Sequence, residues 1–265
     1  MEQTSGLIAA ERAVLRVGGQ GARDFLQGLV SNDLARLGRG AVYAALLTPQ
    51  GKYLFDFLLV ADGEDVLIDV KADRAAALAQ RLAMYRLRAP IRIEAAGLQV
   101  AQGLGPAPEG AFADPRDPGL GWRALTPDAA AFVAGMAALD PDRLTALRVA
   151  LGVPESGVEL VPDESYILEM GFERLHGVDF RKGCYVGQEV TARMKHKTEL
   201  RKGLARVAVE GAAPPPGAGI EADGKPAGTL FTVREGAGLA YLRFDRAGGE
   251  MTAGAARIRL REGAS

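Results

Sequence analysis

The sequence has 265 residues, of which 48% are hydrophobic and 25% charged, and its formal net charge at pH 7 is −1. This length allows one or two domains with a sizeable core, and the composition is that of a soluble globular protein. The near-zero net charge excludes a global attraction to nucleic acid or to an anionic membrane. A single cysteine excludes an internal disulfide and is compatible with a reducing compartment.

The N-terminus shows neither a basic region followed by a long apolar run nor an Arg-rich, acid-poor leader. The apolar stretches, such as residues 57–61, are far too short to span a bilayer. We therefore expect a cytosolic protein without membrane contacts.

The first two hundred residues predict a mixture of strands and helices. Gly and Pro turns and alternating apolar residues predict strands at residues 13–17, 42–47, 53–60, 65–70, 91–94, 98–102 and 121–125. Apolar residues at helical spacing predict helices at residues 22–30, 74–87 and 141–151. Because strands and helices do not alternate regularly, an α+β fold suits this region better than a doubly wound sheet.

The pattern changes after Lys202, where short β-type runs alternate with turns such as residues 214–217. We see no convincing helix in this part, and closely spaced short strands are typical of a small barrel or sandwich. We therefore place a boundary near Leu200, with an α+β region at residues 1–200 and an all-β region at residues 201–265.

The only cysteine lies in the octapeptide KGCYVGQE at residues 182–189. The apolar side chains that follow it, from Val186 to Met194, recur at helical spacing, so Cys184 should lie just before or in the first turn of a helix. Free N–H groups and the positive dipole end at that point favour a thiolate, and Lys182 would add positive charge. Gly183 and Gly187 would let a ligand or partner approach the backbone closely.

Several other readings of the thiol remain open. Cys184 could be a small buried apolar residue, or a nucleophile with His176 or His196 as its base. A zinc site is disfavoured because one thiol and two scattered histidines lack the usual paired spacing. Iron–sulfur clusters usually take several thiolates, so Cys184 alone could supply only one ligand of a cluster shared with another molecule.

Positive charge gathers around the cysteine. The Lys and Arg residues between positions 181 and 202 are Arg181, Lys182, Arg193, Lys195, Lys197, Arg201 and Lys202. They form either a solvated helix face or an anion site for a carboxylate-bearing ligand or an acidic partner. The stretch lacks interleaved aromatic residues, so we expect no direct nucleic-acid binding.

The octapeptide resembles the signature of the YgfZ-type folate-binding proteins, bacterial iron–sulfur cluster assembly factors related to the T-protein (aminomethyltransferase) of the glycine cleavage system. Residues 26–33 (LQGLVSND), and residues 46–52 (LLTPQGK) with the following Asp56, resemble the two N-terminal blocks of that family. Residues 177–180 (GVDF) lead into the cysteine motif, and residues 191–193 (TAR) follow it as in relatives. The resemblance covers nearly the whole chain.

This resemblance implies a T-protein-like ring of mixed α/β subdomains around a tetrahydrofolate pocket, followed by a small C-terminal β-barrel. By position, Asp56 resembles the acidic residue that faces the reactive nitrogens of folate, and Glu169 the glutamate that binds the pteridine. A carboxylate suits the second role because it can accept paired hydrogen bonds from amino and ring N–H groups. Asn32 would be a further folate contact, and Arg193 would receive the glutamate tail. Asp56 and Glu169 could instead be ordinary surface or cap carboxylates.

The resemblance also implies a function: a tetrahydrofolate-binding accessory factor for the assembly or repair of iron–sulfur proteins. Cys184 would be the reactive thiol or a shared cluster ligand, and Lys182 its electrostatic activator. The remaining motif residues, which would shape the loop and its approach to a partner, are Gly183, Tyr185, Gly187, Gln188 and Glu189. Partners would be folate and iron–sulfur assembly or client proteins. The two rival hypotheses are a folate-dependent aminomethyltransferase and a non-catalytic interaction module.

Overall fold

A computed structural model describes residues 3–196 and 199–261 of the chain. The body consists of two five-stranded sheets with helices against them, and the C-terminal strands form a closed barrel. The body strands are β1 (Ser5–Ile8), β2 (Arg12–Gly18), β3 (Val42–Leu47), β4 (Tyr53–Asp62), β5 (Asp65–Lys71), β6 (Arg92–Ala95), β7 (Gln99–Leu104), β8 (Phe112–Ala113), β9 (Trp122–Thr126) and β10 (Ala137–Ala138). The α-helices are α1 (Ala22–Gln27), α2 (Ala72–Arg86), α3 (Ala129–Val133), α4 (Pro141–Ala150) and α5 (Gln188–Lys195).

The first sheet has the strand order β3-β4-β5-β2-β6, and all of its pairs are antiparallel. Strand β3 lies at one edge of this sheet, yet all six of its residues are buried. Because successive side chains of a strand point to opposite sides, both faces of β3 are covered. Val42, Ala44 and Leu46 pack into a core with α1 and α2, whereas Tyr43 and Leu47 pack into a second core beneath the chain that follows α4. The meander expected at residues 42–70 is therefore confirmed.

The second sheet has the order β10-β1-β7-β9-β8. Buried ion pairs join it to the first sheet: the carboxylate of Asp69 on β5 accepts bonds from Arg12 on β2 at 2.7 Å and from Arg123 on β9 at 3.0 Å. Asp114 accepts from Arg123 as well and pairs with Arg116 at 2.7 Å. Buried charges are tolerated only when they are paired, so this chain of ion pairs fixes how the two sheets meet.

The barrel contains β11 (Lys202–Glu210), β12 (Ala218–Ala222), β13 (Lys225–Arg234), β14 (Ala237–Arg243), β15 (Met251–Ala253) and β16 (Ala256–Leu260). It closes in the order β11-β14-β13-β12-β15-β16, and β16 pairs with β11. Strand β11 alternates buried and partly exposed residues, as expected when one face lines the barrel interior. From Lys202 to Arg261 the structure contains no helix, so the expectation of an all-β tail is confirmed.

The stretch between α4 and α5 is mostly irregular. Residues 165–187 form turns, yet Leu168, Met170, Phe172 and Leu175 are buried in the second core. Burial of these side chains fixes a long segment that has little secondary structure, and this segment carries Glu169 and the cysteine motif. Within the described residues, no helix combines the length and apolar character needed to cross a membrane.

Candidate functional site

Cys184 is exposed and lies in a loop just ahead of α5, as the sequence predicted. Helix α5 begins at Gln188, with Gly187 as its N-cap at φ +83°. The thiol is therefore one loop away from the helix and outside its first turn. The reading of Cys184 as a small buried apolar residue is wrong.

Two glycines bring the cysteine motif into backbone contact with the turn between β3 and β4. Gly51 closes that turn at φ +76°, and both glycines have a left-handed backbone that other residues rarely adopt. A Cβ on Gly187 would lie 2.5 Å from the carbonyl oxygen of Thr48, and one on Gly51 would lie 2.7 Å from Cβ of Val190. The structure thus packs residues 46–52 directly against residues 182–189.

Lys182 anchors the other end of the cysteine loop. Its Nζ donates to the carbonyl oxygens of Gln27 at 2.6 Å and Asn32 at 3.2 Å, and also to that of Val30. Burial lowers the pKa of Lys182 to about 8, and the nearby carboxylates of Asp33 and Asp179 oppose that shift. This ammonium holds the end of α1 and the segment after it. The three hydrogen bonds give Lys182 an anchoring role, and its electrostatic effect on the Cys184 thiol stays a prediction.

The remaining residues of the octapeptide shape the loop. Oε1 of Gln188 accepts from the backbone N–H of Tyr185 at 3.1 Å, and the ring of Tyr185 lies 4.9 Å from Nζ of Lys182. Glu189 is exposed, and a Cβ on Gly183 would meet nothing within 4 Å. The chain next to Cys184 is therefore open on the side where Gly183 lies.

The first N-terminal block, residues 26–33, binds the segment that leads into the cysteine motif. Nδ2 of Asn32 donates to the carbonyls of Tyr43 at 2.7 Å and His176 at 2.6 Å, and its Oδ1 accepts from the backbone N–H of Asp33. Oγ of Ser31 donates to the carbonyl of Gly177 at 2.6 Å. Because the Asn32 amide is buried and both of its hydrogens are used, its geometry supports a structural role and does not support folate binding.

Asp56 lies buried on β4, on the face of the second core. Its Oδ1 accepts from the hydroxyl of Tyr53 at 2.8 Å and its Oδ2 from that of Tyr43 at 3.1 Å. The Tyr53 oxygen also lies 2.7 Å from Oγ of Ser156. Burial raises the pKa of Asp56, and the Tyr53 hydrogen bond and the charge of Arg12 act against that shift. Asp56 is therefore neither a surface nor a cap carboxylate.

Glu169 lines an open cavity of about 690 Å³ between the irregular segment and the barrel. Its Oε2 accepts from the hydroxyl of Tyr241 on β14 at 2.6 Å, while its Oε1 makes no hydrogen bond within the described residues. The large apolar side chains lining this cavity are Leu168, Met170, Leu200, Leu204, Phe244 and Leu260. Asp56 is not among the lining residues, so the structure does not place the two carboxylates at one cavity.

The basic residues around the motif have different surroundings. Arg193 is exposed on α5 and does not line the cavity at Glu169, where the cationic residues are Arg174 and Arg261. Lys195 pairs with Glu173, and Lys197 lies outside the described residues. Both histidines are exposed, and the described residues contain no cluster of His, Cys, Asp and Glu that could hold a metal ion.

Sequence reasoning missed the residues that surround Asp56. Arg116 was not singled out from the sequence, yet it is buried, pairs with Asp114 and lies 5.6 Å from the ring of Tyr43. The two hydroxyls that hold Asp56 come from tyrosines that the sequence presents as ordinary strand residues. A buried-strand pattern interrupted by Asp56 was the one available signal.

Comparison with known proteins gives a consistent result. A family described as "CAF17, C-terminal beta-barrel domain" matches residues 201–263. The chain is 33% identical over 270 aligned positions to the mouse "Iron-sulfur cluster assembly factor IBA57, mitochondrial", covering 88% of this chain and 75% of the mouse protein. The human protein of that name is 34% identical over 294 positions, covering 96% of this chain and 80% of its own length. A homologue from Pyricularia oryzae is 33% identical, and the chain spans only 56% of its length.

Among solved structures, the chain is similar to the glycine cleavage system aminomethyltransferase T from Bartonella henselae. The TM-score is 0.79, and the match covers 97% of this chain and 84% of the other at 16% sequence identity. At this identity the likeness shows the fold, and the expected T-protein-like arrangement is confirmed.

The comparisons correct one expectation. A cytosolic protein was expected from the sequence, but the mouse, human and Pyricularia relatives are all named as mitochondrial. Their names contradict the cytosolic expectation. The inference failed because it relied on composition and on the absence of a recognisable leader, neither of which determines a compartment.

Proposed function

The chain belongs to the IBA57 family of iron–sulfur cluster assembly factors, and from this we propose that it serves iron–sulfur proteins by presenting the thiol of Cys184 to a partner. The observation that carries the proposal is an exposed cysteine on a loop whose two ends are fixed, by Lys182 on one side and Gly187 on the other. A thiol held in this way is accessible yet defined in position.

The partner must complete the chemistry. The chain has one cysteine, and its described residues contain no group that could hold a metal ion. Since clusters usually take several thiolates, Cys184 would supply one ligand of a cluster while a partner protein or a small thiol supplies the others. The cluster is cargo in this scheme, and the chain contributes a positioned sulfur atom.

A direct test is replacement of the gene by one encoding Cys184→Ala, with the activities of iron–sulfur enzymes as readout. We expect those activities to fall to the level of the deletion strain, while the amount of protein stays unchanged because the side chain is exposed. Full activity in the Cys184→Ala strain would overturn the proposal. The control is Cys184→Ser, which keeps the size of the side chain and should fail in the same way, since a hydroxyl is a poor iron ligand.

We further propose that the cavity beside Glu169 binds tetrahydrofolate. Two observations support it: the cavity walls are largely apolar, which suits a flat heteroaromatic ring, and the Glu169 carboxylate keeps Oε1 available as an acceptor. Tyr241 would orient the carboxylate, and the Oε1 atom would accept N–H groups of the pterin. Bound folate would supply one-carbon chemistry or act as a regulator.

Isothermal titration with tetrahydrofolate tests this second proposal. We expect saturable binding that Glu169→Gln weakens by at least tenfold, because an amide accepts more weakly than a carboxylate and directs N–H groups at the ligand. Tyr241→Phe should weaken it less, since it removes only the group that orients Glu169. Absence of binding to the unmodified protein would overturn the folate site and leave the proposal on Cys184 standing.

The two rival functions are not favoured. The likeness to an aminomethyltransferase extends to the fold, at 16% identity, whereas the relatives of 33–34% identity are assembly factors. Asp56, which the resemblance aligned with an acidic residue facing folate, has both oxygens engaged by tyrosine hydroxyls. A module that only docks partners does not require an exposed thiol on a loop fixed at both ends.

A further inference from the structure

The C-terminal end of α2 carries the two most exposed large apolar side chains of the described residues. Leu87 is 87% exposed and Met84 is 63% exposed. Met84 lies in the last turn of the helix, and Leu87 is its C-cap, three positions further along the chain. Both lie outside the sites considered above, and neither packs into any of the hydrophobic cores.

Leu87 also has an unfavourable backbone. At the C-cap of α2 it adopts φ 48° and ψ −110°, a conformation that suits glycine and is strained for a side chain with a Cβ. Residues held in such conformations tend to occur at sites of function, and here the strained residue displays its side chain to solvent. Glycine would adopt this conformation without strain, and the exposed leucine side chain packs into none of the cores.

Positive charge flanks this apolar pair in the chain, at Arg81, Arg86 and Arg88. The next arginine, Arg92, lies on β6 and lines a different cleft together with three acidic residues, Asp24, Glu64 and Asp65. None of Arg81, Arg86 and Arg88 forms an ion pair with an acidic group in residues 3–196 or 199–261, and Arg86 and Arg88 are exposed. A patch with an apolar centre and an unneutralised basic rim is complementary to a surface with an apolar centre and an acidic rim.

The rest of the exposed face of α2 suits a helix as the occupant. Ala76, Ala77 and Ala83 are exposed, and Gln80 is the polar residue between them. Small side chains let the backbone of a second helix approach closely. We propose that the α2 face, defined by Ala76, Ala77, Gln80, Ala83, Met84 and Leu87 with Arg81, Arg86 and Arg88, docks an acidic amphipathic helix of a partner protein.

Charge decides against a second copy as the occupant, because pairing two α2 faces would bring the unpaired arginines of both copies together. An anionic membrane would satisfy the arginines, but interfacial helices bind through a broad apolar face. Here the large apolar side chains are limited to the last turn, and alanines make up most of the remaining face. Membrane binding is therefore the alternative that the vesicles in the test below would detect.

The test uses the full-length chain and three probes: a synthetic helical peptide with one leucine stripe and glutamates on either side, the same peptide with lysines for glutamates, and vesicles containing phosphatidylserine. We expect saturable binding of the acidic peptide, weakened at least tenfold by Leu87→Gly and by Arg86→Glu combined with Arg88→Glu. Binding should also weaken as salt rises, because the rim charges are exposed.

Leu87→Gly separates docking from folding. Because glycine relieves the strained backbone, this variant should raise Tm by about 2–4 °C while losing affinity for the acidic peptide. Glu235→Gly is the matched control, since Glu235 also has a positive φ, of 51°, but lies in the barrel region. It should bind the peptide as the unmodified protein does. Equal peptide binding by all variants, no binding by the unmodified protein, or binding of vesicles alone would each overturn the proposal.

Discussion

Asp56 and Cys184 are specified by the fold in opposite ways. Asp56 is 8% exposed, and two tyrosine hydroxyls determine where both of its oxygens lie. Cys184 is exposed, and the fold fixes the chain on either side of it but not the sulfur atom itself. The scaffold thus completes the environment of the carboxylate, whereas it leaves the thiol exposed, and under our proposal a partner completes its environment.

The largest predicted loss of stability comes from a change at Gly187, which fixes the C-terminal end of the cysteine loop. Gly187→Ala would place a Cβ 2.5 Å from the carbonyl oxygen of Thr48 at a residue with positive φ, so we expect a loss of about 3 kcal/mol in the free energy of unfolding. Urea denaturation measures it. The matched control is Gly183→Ala, which meets nothing within 4 Å and should change stability by less than about 1 kcal/mol. Equal losses in the two variants would contradict the contact.

Loss of the other anchor of the loop, Lys182, should lower the free energy of unfolding somewhat less. Lys182→Met keeps the aliphatic stem but removes the ammonium from three carbonyls, and we expect a loss of about 2 kcal/mol. Lys195→Met removes an exposed ion pair with Glu173 and should cost at most about 0.5 kcal/mol. If the two substitutions cost the same in denaturation experiments, Lys182 does not hold the loop. Faster alkylation of Cys184 in the Lys182→Met variant would further support an anchoring role.

Asp56 allows a test through pH. Its pKa is raised in the folded state, so the folded protein binds more protons than the unfolded chain between the ordinary aspartate pKa and the raised one. Stability contributed by this group therefore falls as pH rises through that interval. We expect Asp56→Asn to remove this dependence and to lie within about 1 kcal/mol of the unmodified protein at pH 7. Unfolding free energies measured between pH 4 and pH 8 would contradict this if the two curves stayed parallel.

The smallest expected effect is that of the cysteine itself. Cys184→Ser alters an exposed side chain that makes no hydrogen bond with the residues the structure describes, so the free energy of unfolding should change by less than about 0.5 kcal/mol. Thermal denaturation of the two proteins side by side checks this. A large loss of stability would mean that the fold, and not a partner, defines the position of the thiol.

Much of this architecture follows from local pattern. The meander β3–β5 and the helices α2 and α4 lie close to their predicted ranges, because alternation and helical spacing persist over many residues there. The strands β1, β8 and β10 were not predicted, since they have at most four residues and depend on partners distant in the chain.

The sites were less predictable than the fold. The position of Cys184 before a helix follows from glycines and spacing, but the roles of Lys182 and Asn32 depend on carbonyls contributed by other parts of the chain. No sequence pattern predicts a hydrogen bond from a side chain to one particular backbone carbonyl, because every residue has a carbonyl. The same holds for Asp56, whose environment is formed by hydroxyl groups brought together by strand pairing.

The anchors of the cysteine loop have a consequence for how the protein is made. Nζ of Lys182 binds the carbonyl of Gln27, which lies 155 residues earlier, and Ser31 binds the carbonyl of Gly177, 146 residues later. Contacts between such distant residues form late, because a long stretch of chain must close first. During synthesis the N-terminal block emerges well before the cysteine and can be folded when residues 177–187 arrive. A chain that misfolds in its first fifty residues would therefore fail to display its thiol correctly, however intact its C-terminal barrel.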